Sequence, residues 1–93
     1  MLFRSGHVEV VRYLLTQSDV DIDHVNRLGW TALLEAIVLG SGDAAHQEVV
    51  RLLIQHGADL DIADKDGVRP LAHARARGQA EIVAALEAAG ARP

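Results

Sequence analysis

The sequence predicts an all-α solenoid of repeated helix-turn-helix units joined by β-turn fingers, and three observations carry that prediction. First, the chain repeats itself: Gly29-Trp30-Thr31-Ala32-Leu33-Leu34-Glu35-Ala36 is echoed by Gly67-Val68-Arg69-Pro70-Leu71-Ala72-His73-Ala74. Second, a polar-to-apolar run recurs as Gly6-His7-Val8-Glu9-Val10-Val11, His46-Gln47-Glu48-Val49-Val50 and Gly78-Gln79-Ala80-Glu81-Ile82-Val83. Third, the spacings reduce to one period. Glu48 and Glu81 lie 33 residues apart, Gly29 and Gly67 lie 38 apart, and Glu9 and Glu48 lie 39 apart. Residues 41–45, interposed after Gly40, account for five of the extra positions, and a loop longer by one at 17–21 accounts for the sixth. A period of this size marks a stacked repeat array, in which each unit buries its apolar face on its neighbours.

The elements follow in order. Leu2 and Phe3 stand where the last turn of an inner helix belongs, so the chain is expected to open on a partial repeat over 1–26. The pattern Val10, Val11, Leu14, Leu15 predicts a helix over Val8–Gln17 with two adjacent apolar rows. Asp19, Asp21, Asp23 and Asn26 then alternate with Val20 and Ile22. A calcium loop would need the glycine and distal glutamate that are missing here, so these residues read as turn formers. Thr31 predicts an N-cap for a helix over 32–39, with Leu33, Ala36 and Ile37 facing the stack. Residues 41–45 read as a small polar, flexible bulge whose removal should restore the period at no cost in stability. A second outer helix is expected over 46–56, ended by Gly57. Asp66-Gly67 marks a turn, and Pro70 suits the first position of the next helix, where its missing N–H does no harm. Arg69 replaces the capping threonine there, which weakens that start. An alanine-rich helix over 80–89 closes the array. The units are thus 1–26, 27–64 with its insertion, and a capping repeat over 65–93.

Residues Thr31-Ala32-Leu33-Leu34 and Arg69-Pro70-Leu71-Ala72, with the Gly-His/Gln-x-Glu, Val-Val-Arg-x-Leu-Leu and Gly-Ala-Asp-Leu-Asp segments in a 33-residue register, resemble the ankyrin repeat family over essentially the whole chain. Neither copy keeps the family's histidine after Leu33 or Leu71, so the hydrogen bonds of that histidine are expected to be absent. The resemblance implies a non-catalytic module that binds another protein through finger tips and inner helices. Carried onto this chain, the partner-facing residues are Arg27, Leu28, Trp30, Glu35, Val38 and Leu39 from one repeat. From the next they are Lys65, Asp66, Val68, His73 and Arg77. Trp30, the one tryptophan, is the sharpest of these because tryptophan so often anchors interfaces. The alternative is a structural fragment that self-associates, as a homodimer through its open N-terminal end.

Composition narrows the other classes. The chain has 93 residues, 49% hydrophobic but only 3% aromatic, so Ala, Val, Leu and Ile must build the core. A formal net charge of −4 disfavours a nucleic-acid partner. No apolar run approaches a membrane span, no basic-then-apolar leader opens the sequence, and a cytoplasmic setting is expected. Cysteine is absent, which excludes disulfides and thiolate metal sites. Five histidines are present, and His7 and His46 hold equivalent places. Two such residues fall short of a zinc ligand set, so no metal and no cofactor are expected. Neither a Gly-x-Ser-x-Gly elbow nor a phosphate loop occurs, and the sequence supplies no catalytic set. Arg69, Arg75, Arg77 and Lys65, set among Asp59, Asp61, Asp64 and Asp66, read as a solvated mixed-charge face that an acidic side chain could still meet.

Overall fold

A computed structural model describes residues 7–17 and 21–93. Five helices appear among them and no strand: α1 (Val8–Gln17), α2 (Ala32–Val38), α3 (Ala44–Gln55), α4 (Pro70–Ala76) and α5 (Ala80–Ala88). The expectations for Leu2, Phe3 and Gly6 lie outside the described residues, as do those for Asp19 and Val20.

The helices form two layers. Inner helices α2 and α4 pack on each other, outer helices α1, α3 and α5 pack in sequence, and the pairs α2–α3 and α4–α5 tie the layers together. Leu33, Ala36, Ile37, Leu71 and Ala74 from the inner layer meet Val11, Val49, Val50, Leu52, Leu53, Ile82 and Leu86 from the outer layer in one core. Among the described residues no aromatic side chain belongs to that core, in keeping with the low aromatic content. Each buried aliphatic contributes roughly 1.5–3 kcal/mol by leaving water.

Local chemistry explains the helix limits. The Thr31 hydroxyl accepts from the Leu34 N–H at 3.2 Å, which satisfies one donor of the first turn of α2. At the equivalent start of α4, Arg69 makes no side-chain capping bond. After α3 the chain closes with the Gly57 N–H on the Ile54 carbonyl and the Ala58 N–H on the Leu53 carbonyl, and the same pair of bonds recurs after α5 at Gly90 and Ala91.

The insertion corrects one expectation. It is not a loose bulge: Ala44 and Ala45 form the first turn of α3, capped by Asp43, whose carboxylate accepts from the His46 N–H at 2.9 Å. The Gln47 amide donates to the Gly42 carbonyl at 3.1 Å, and Gln79 of the following repeat donates to the Ile37 carbonyl at 3.2 Å. A side chain added at Gly42 would touch Gln79 at 3.0 Å, so the extra residues are wedged against the next unit.

Candidate functional site

The fingers are built twice on one plan. In the first, the Gly29 N–H donates to the Asn26 carbonyl at 3.0 Å, closing a turn whose central residues are Arg27 and Leu28. In the second, the Gly67 N–H donates to the Asp64 carbonyl at 2.9 Å around Lys65 and Asp66. Gly29 and Gly67 have φ of +85° and +80°, a conformation that side chains resist.

Each turn is held by the side chain at its root. Asn26 Oδ1 accepts from the N–H groups of Leu28 at 2.9 Å and Trp30 at 3.1 Å. Asp64 Oδ1 accepts from those of Asp66 at 2.9 Å and Val68 at 3.0 Å. The other arm of each root residue reaches the inner helix. Asn26 Nδ2 donates to the Glu35 carboxylate, whereas Asp64 Oδ2 accepts from His73 Nε2 at 2.7 Å. The two pairs are equivalent in register with donor and acceptor exchanged. The His73 tautomer follows, because an ionised carboxylate offers no proton and Nε2 must carry one. The Val68 N–H, then the His73 ring, hold the Asp64 carboxyl below the usual carboxylate range.

These bonds correct the reading of Glu35. It is 3% exposed, beneath the surface, with its carboxylate bonded at the finger root. His73 is half-buried and similarly engaged, although its ring edge stays within reach. The places of the family's motif histidine are held by Leu34 and Ala72.

The remaining candidates divide by depth. Arg27, Lys65, Asp66 and Arg77 are exposed, and Leu28 is 57% exposed at the first tip. Trp30, Val38, Leu39 and Val68 are half-buried, so Trp30 supplies part of the finger's own packing as well as surface. The two tips touch: a Cβ at Gly29 would lie 3.4 Å from Lys65 Cβ, so the Lys65 stem runs along the first turn. One surface residue was missed. Val25, 48% exposed, precedes Asn26 as Ala63 precedes Asp64, and an aliphatic at that non-core register was its signal.

Elsewhere the polar groups serve the scaffold. Asp23 accepts from the Asp59 N–H at 2.8 Å, and Asp61 from the Arg92 N–H at 2.9 Å, so carboxylates at successive finger bases link successive repeats. These aspartates act as turn and linker residues. The His46 backbone N–H, then the ring of His46 (7% exposed) donating from Nδ1 at 2.7 Å, lower the Asp43 carboxyl to about 2. His7 is exposed. No group of three or more histidine or carboxylate side chains among the described residues is arranged to hold a metal. No helix among them is long and apolar enough to cross a membrane. The mixed-charge cluster disperses: Arg75 pairs with Glu87 at 2.7 Å, and Arg69 donates to the Pro93 carbonyl at 3.4 Å.

Two stacked layers of short helices with paired Asx-rooted turns define a helical repeat protein. The chain belongs to the ankyrin repeat family, whose model, described as ankyrin repeats in three copies, matches residues 1–93. It is 46% identical over 86 residues to the ankyrin repeat protein YahD of Escherichia coli strain K12, covering 92% of this chain and 43% of that one. It is 33% identical over 90 residues to human BCL-6 corepressor-like protein 1, covering 97% of this chain and 5% of that one. The solved ankyrin repeat domain from Acinetobacter baumannii AYE superposes with a TM-score of 0.95 at 53% identity, covering 98% of this chain and 46% of that structure. The chain therefore spans less than half the length of these similar proteins. Ankyrin repeats are generally protein-interaction modules, and the family is typically non-catalytic.

Proposed function

We propose that this chain binds a partner protein through its two finger tips and the exposed edge of its inner helices, without catalysis. The observation that carries the reading is the double rooting of each finger. Asn26 and Asp64 each spend one side-chain arm on the turn and the other on the inner helix. Turns held this rigidly present Arg27, Leu28, Lys65 and Asp66 in a fixed array, and preorganised contacts lose less entropy on binding. Leu28 and the exposed edge of Trp30 are the anchors, with Val38, Leu39, Val68, His73 and Arg77 extending the surface along α2 and α4. Glu35 belongs to the scaffold beneath. A relative named as corepressor-like, of which this chain matches 5%, fits a module that acts by contact. In affinity capture from cells that make the protein, Leu28→Arg is expected to lose the partner retained by wild type while melting normally. Retention at the wild-type level would overturn this reading.

A second reading has one observation in its favour: Val10 and Tyr13 of α1 are 44% and 64% exposed. Self-association through α1 would cover them, and two-fold contacts are the commonest route. Sedimentation velocity across concentrations separates the two, since a dimer through α1 should dissociate on Val10→Glu, and a concentration-independent monomer excludes it.

A further inference from the structure

We propose that the finger face receives an acidic segment of its partner protein that carries a bulky apolar side chain. This rests on the reading that the fingers are partner surface, and it adds the chemistry of what they take.

The chain is acidic overall, with a formal net charge of −4. Four of its arginines meet carboxylates within the fold. Arg12 and Arg51 share Glu48 at 4.0 and 3.9 Å, Arg75 pairs with Glu87 at 2.7 Å, and Arg92 pairs with Asp61 at 3.6 Å. Among the described residues no ion pair reaches Arg27, Lys65 or Arg77, and these stand on the two finger tips and at the C-cap of α4. The carboxylates of the same region are mostly spent internally. Glu35 is buried, and the Asp64 side chain is 7% exposed and bonded to His73. Asp66 alone remains exposed at the tips.

Two unpaired cations, Arg27 and Lys65, thus stand on the finger tips of an otherwise acidic molecule, with Arg77 at the far end of α4. Because the Lys65 stem lies along Gly29, the two tip cations belong to adjoining turns, with Leu28, 57% exposed, on the first. A basic or neutral partner that covered them would strip water from charges and return nothing, whereas carboxylates restore the lost hydration as ion pairs and steer the encounter. Leu28 and neighbouring Val25 offer the apolar contact that a charged patch alone lacks. A nucleic acid would meet the same cations, but its continuous phosphate charge would also meet the carboxylates of the rest of the chain.

The test selects an unbiased random peptide library, displayed on phage, against the domain. Recovered peptides are synthesised, their affinity is measured at rising NaCl, and their footprint is mapped by amide chemical shifts. Two variants with the same charge change are compared: Arg27→Glu with Lys65→Glu on the tips, and Arg12→Glu with Arg51→Glu on the outer helices. Expected are acidic peptides with an apolar residue, shifts at residues 27–30 and 65–68, weakening with salt, and an affinity loss of about tenfold or more for the tip variant only. Neutral or basic peptides on the same footprint would overturn the acidic partner and leave the finger face standing. Peptides mapping to the outer helices, or no enrichment over the tip variant, would overturn both. Oligonucleotides that bind the tips more tightly than the recovered peptides at the same salt would also overturn the acidic partner segment.

Discussion

At Asn26 and Asp64 a single side chain decides whether a finger exists. The pairs Asn26–Glu35 and Asp64–His73 do one job with opposite polarity, so they should be interchangeable as pairs and not as halves. Asp64→Asn alone replaces the ionised acceptor with an amide that the His73 ring can meet only in its other tautomer, and His73→Glu alone sets two carboxylates against each other. Each is expected to lower the melting temperature, and the double variant to recover most of the loss. A thermal double-mutant cycle measures that recovery directly, and additive losses would refute the equivalence. Acid sensitivity follows from the same scale. The Asp43 carboxyl lies at about 2 and that of Asp64 below its usual range, whereas in the unfolded chain both titrate near 4. Their stabilisation is therefore complete above about pH 4 and disappears as pH falls through the folded values. For Asp43 the window runs from about 4 down to about 2. Urea midpoints taken across that interval should fall less steeply for Asp43→Ala than for wild type.

At the scale of the element, capping and close approach set what each helix tolerates. Thr31→Ala should cost about 1 kcal/mol, and Arg69→Thr, which supplies the cap that α4 lacks, should return a similar amount in chemical denaturation. Gly40 is fixed by space, not by φ. An added Cβ would sit 2.3 Å from the Ala36 carbonyl oxygen and 2.3 Å from His46 Cδ2, so Gly40→Ala should destabilise by about 1–3 kcal/mol. Deletion of residues 41–45, neutral by the period argument, should lower the melting temperature instead, because Asp43 and the first turn of α3 go with it. The helices themselves were legible because apolar spacing, Thr31 and Pro70 are local signals. The insertion was misread because its contacts with Gln79 join residues far apart in sequence, which no local pattern records. Glu35 was misplaced for a related reason: a charged residue on an inner helix reads as surface until its partner at the finger root is seen.

The whole molecule is a stack in which stability and recognition occupy different layers. Leu33, Ile37, Leu53 and Leu86 are at most 1% exposed and lie between repeats, so Ile37→Ala should cost about 2–5 kcal/mol, a large part of the stability of so small a domain. The repeat period made that architecture readable, and the tip positions with it. The pairing of charges was not readable, since it depends on which carboxylates the fold consumes. The finger face, and no other, is expected to meet the partner. Site-specific photocrosslinking tests it most directly, with a benzophenone side chain placed in turn at exposed Leu28, Lys65, Gln55 and Ala84. A partner adduct is expected from positions 28 and 65 and none from 55 and 84. An adduct confined to 55 or 84 would contradict it.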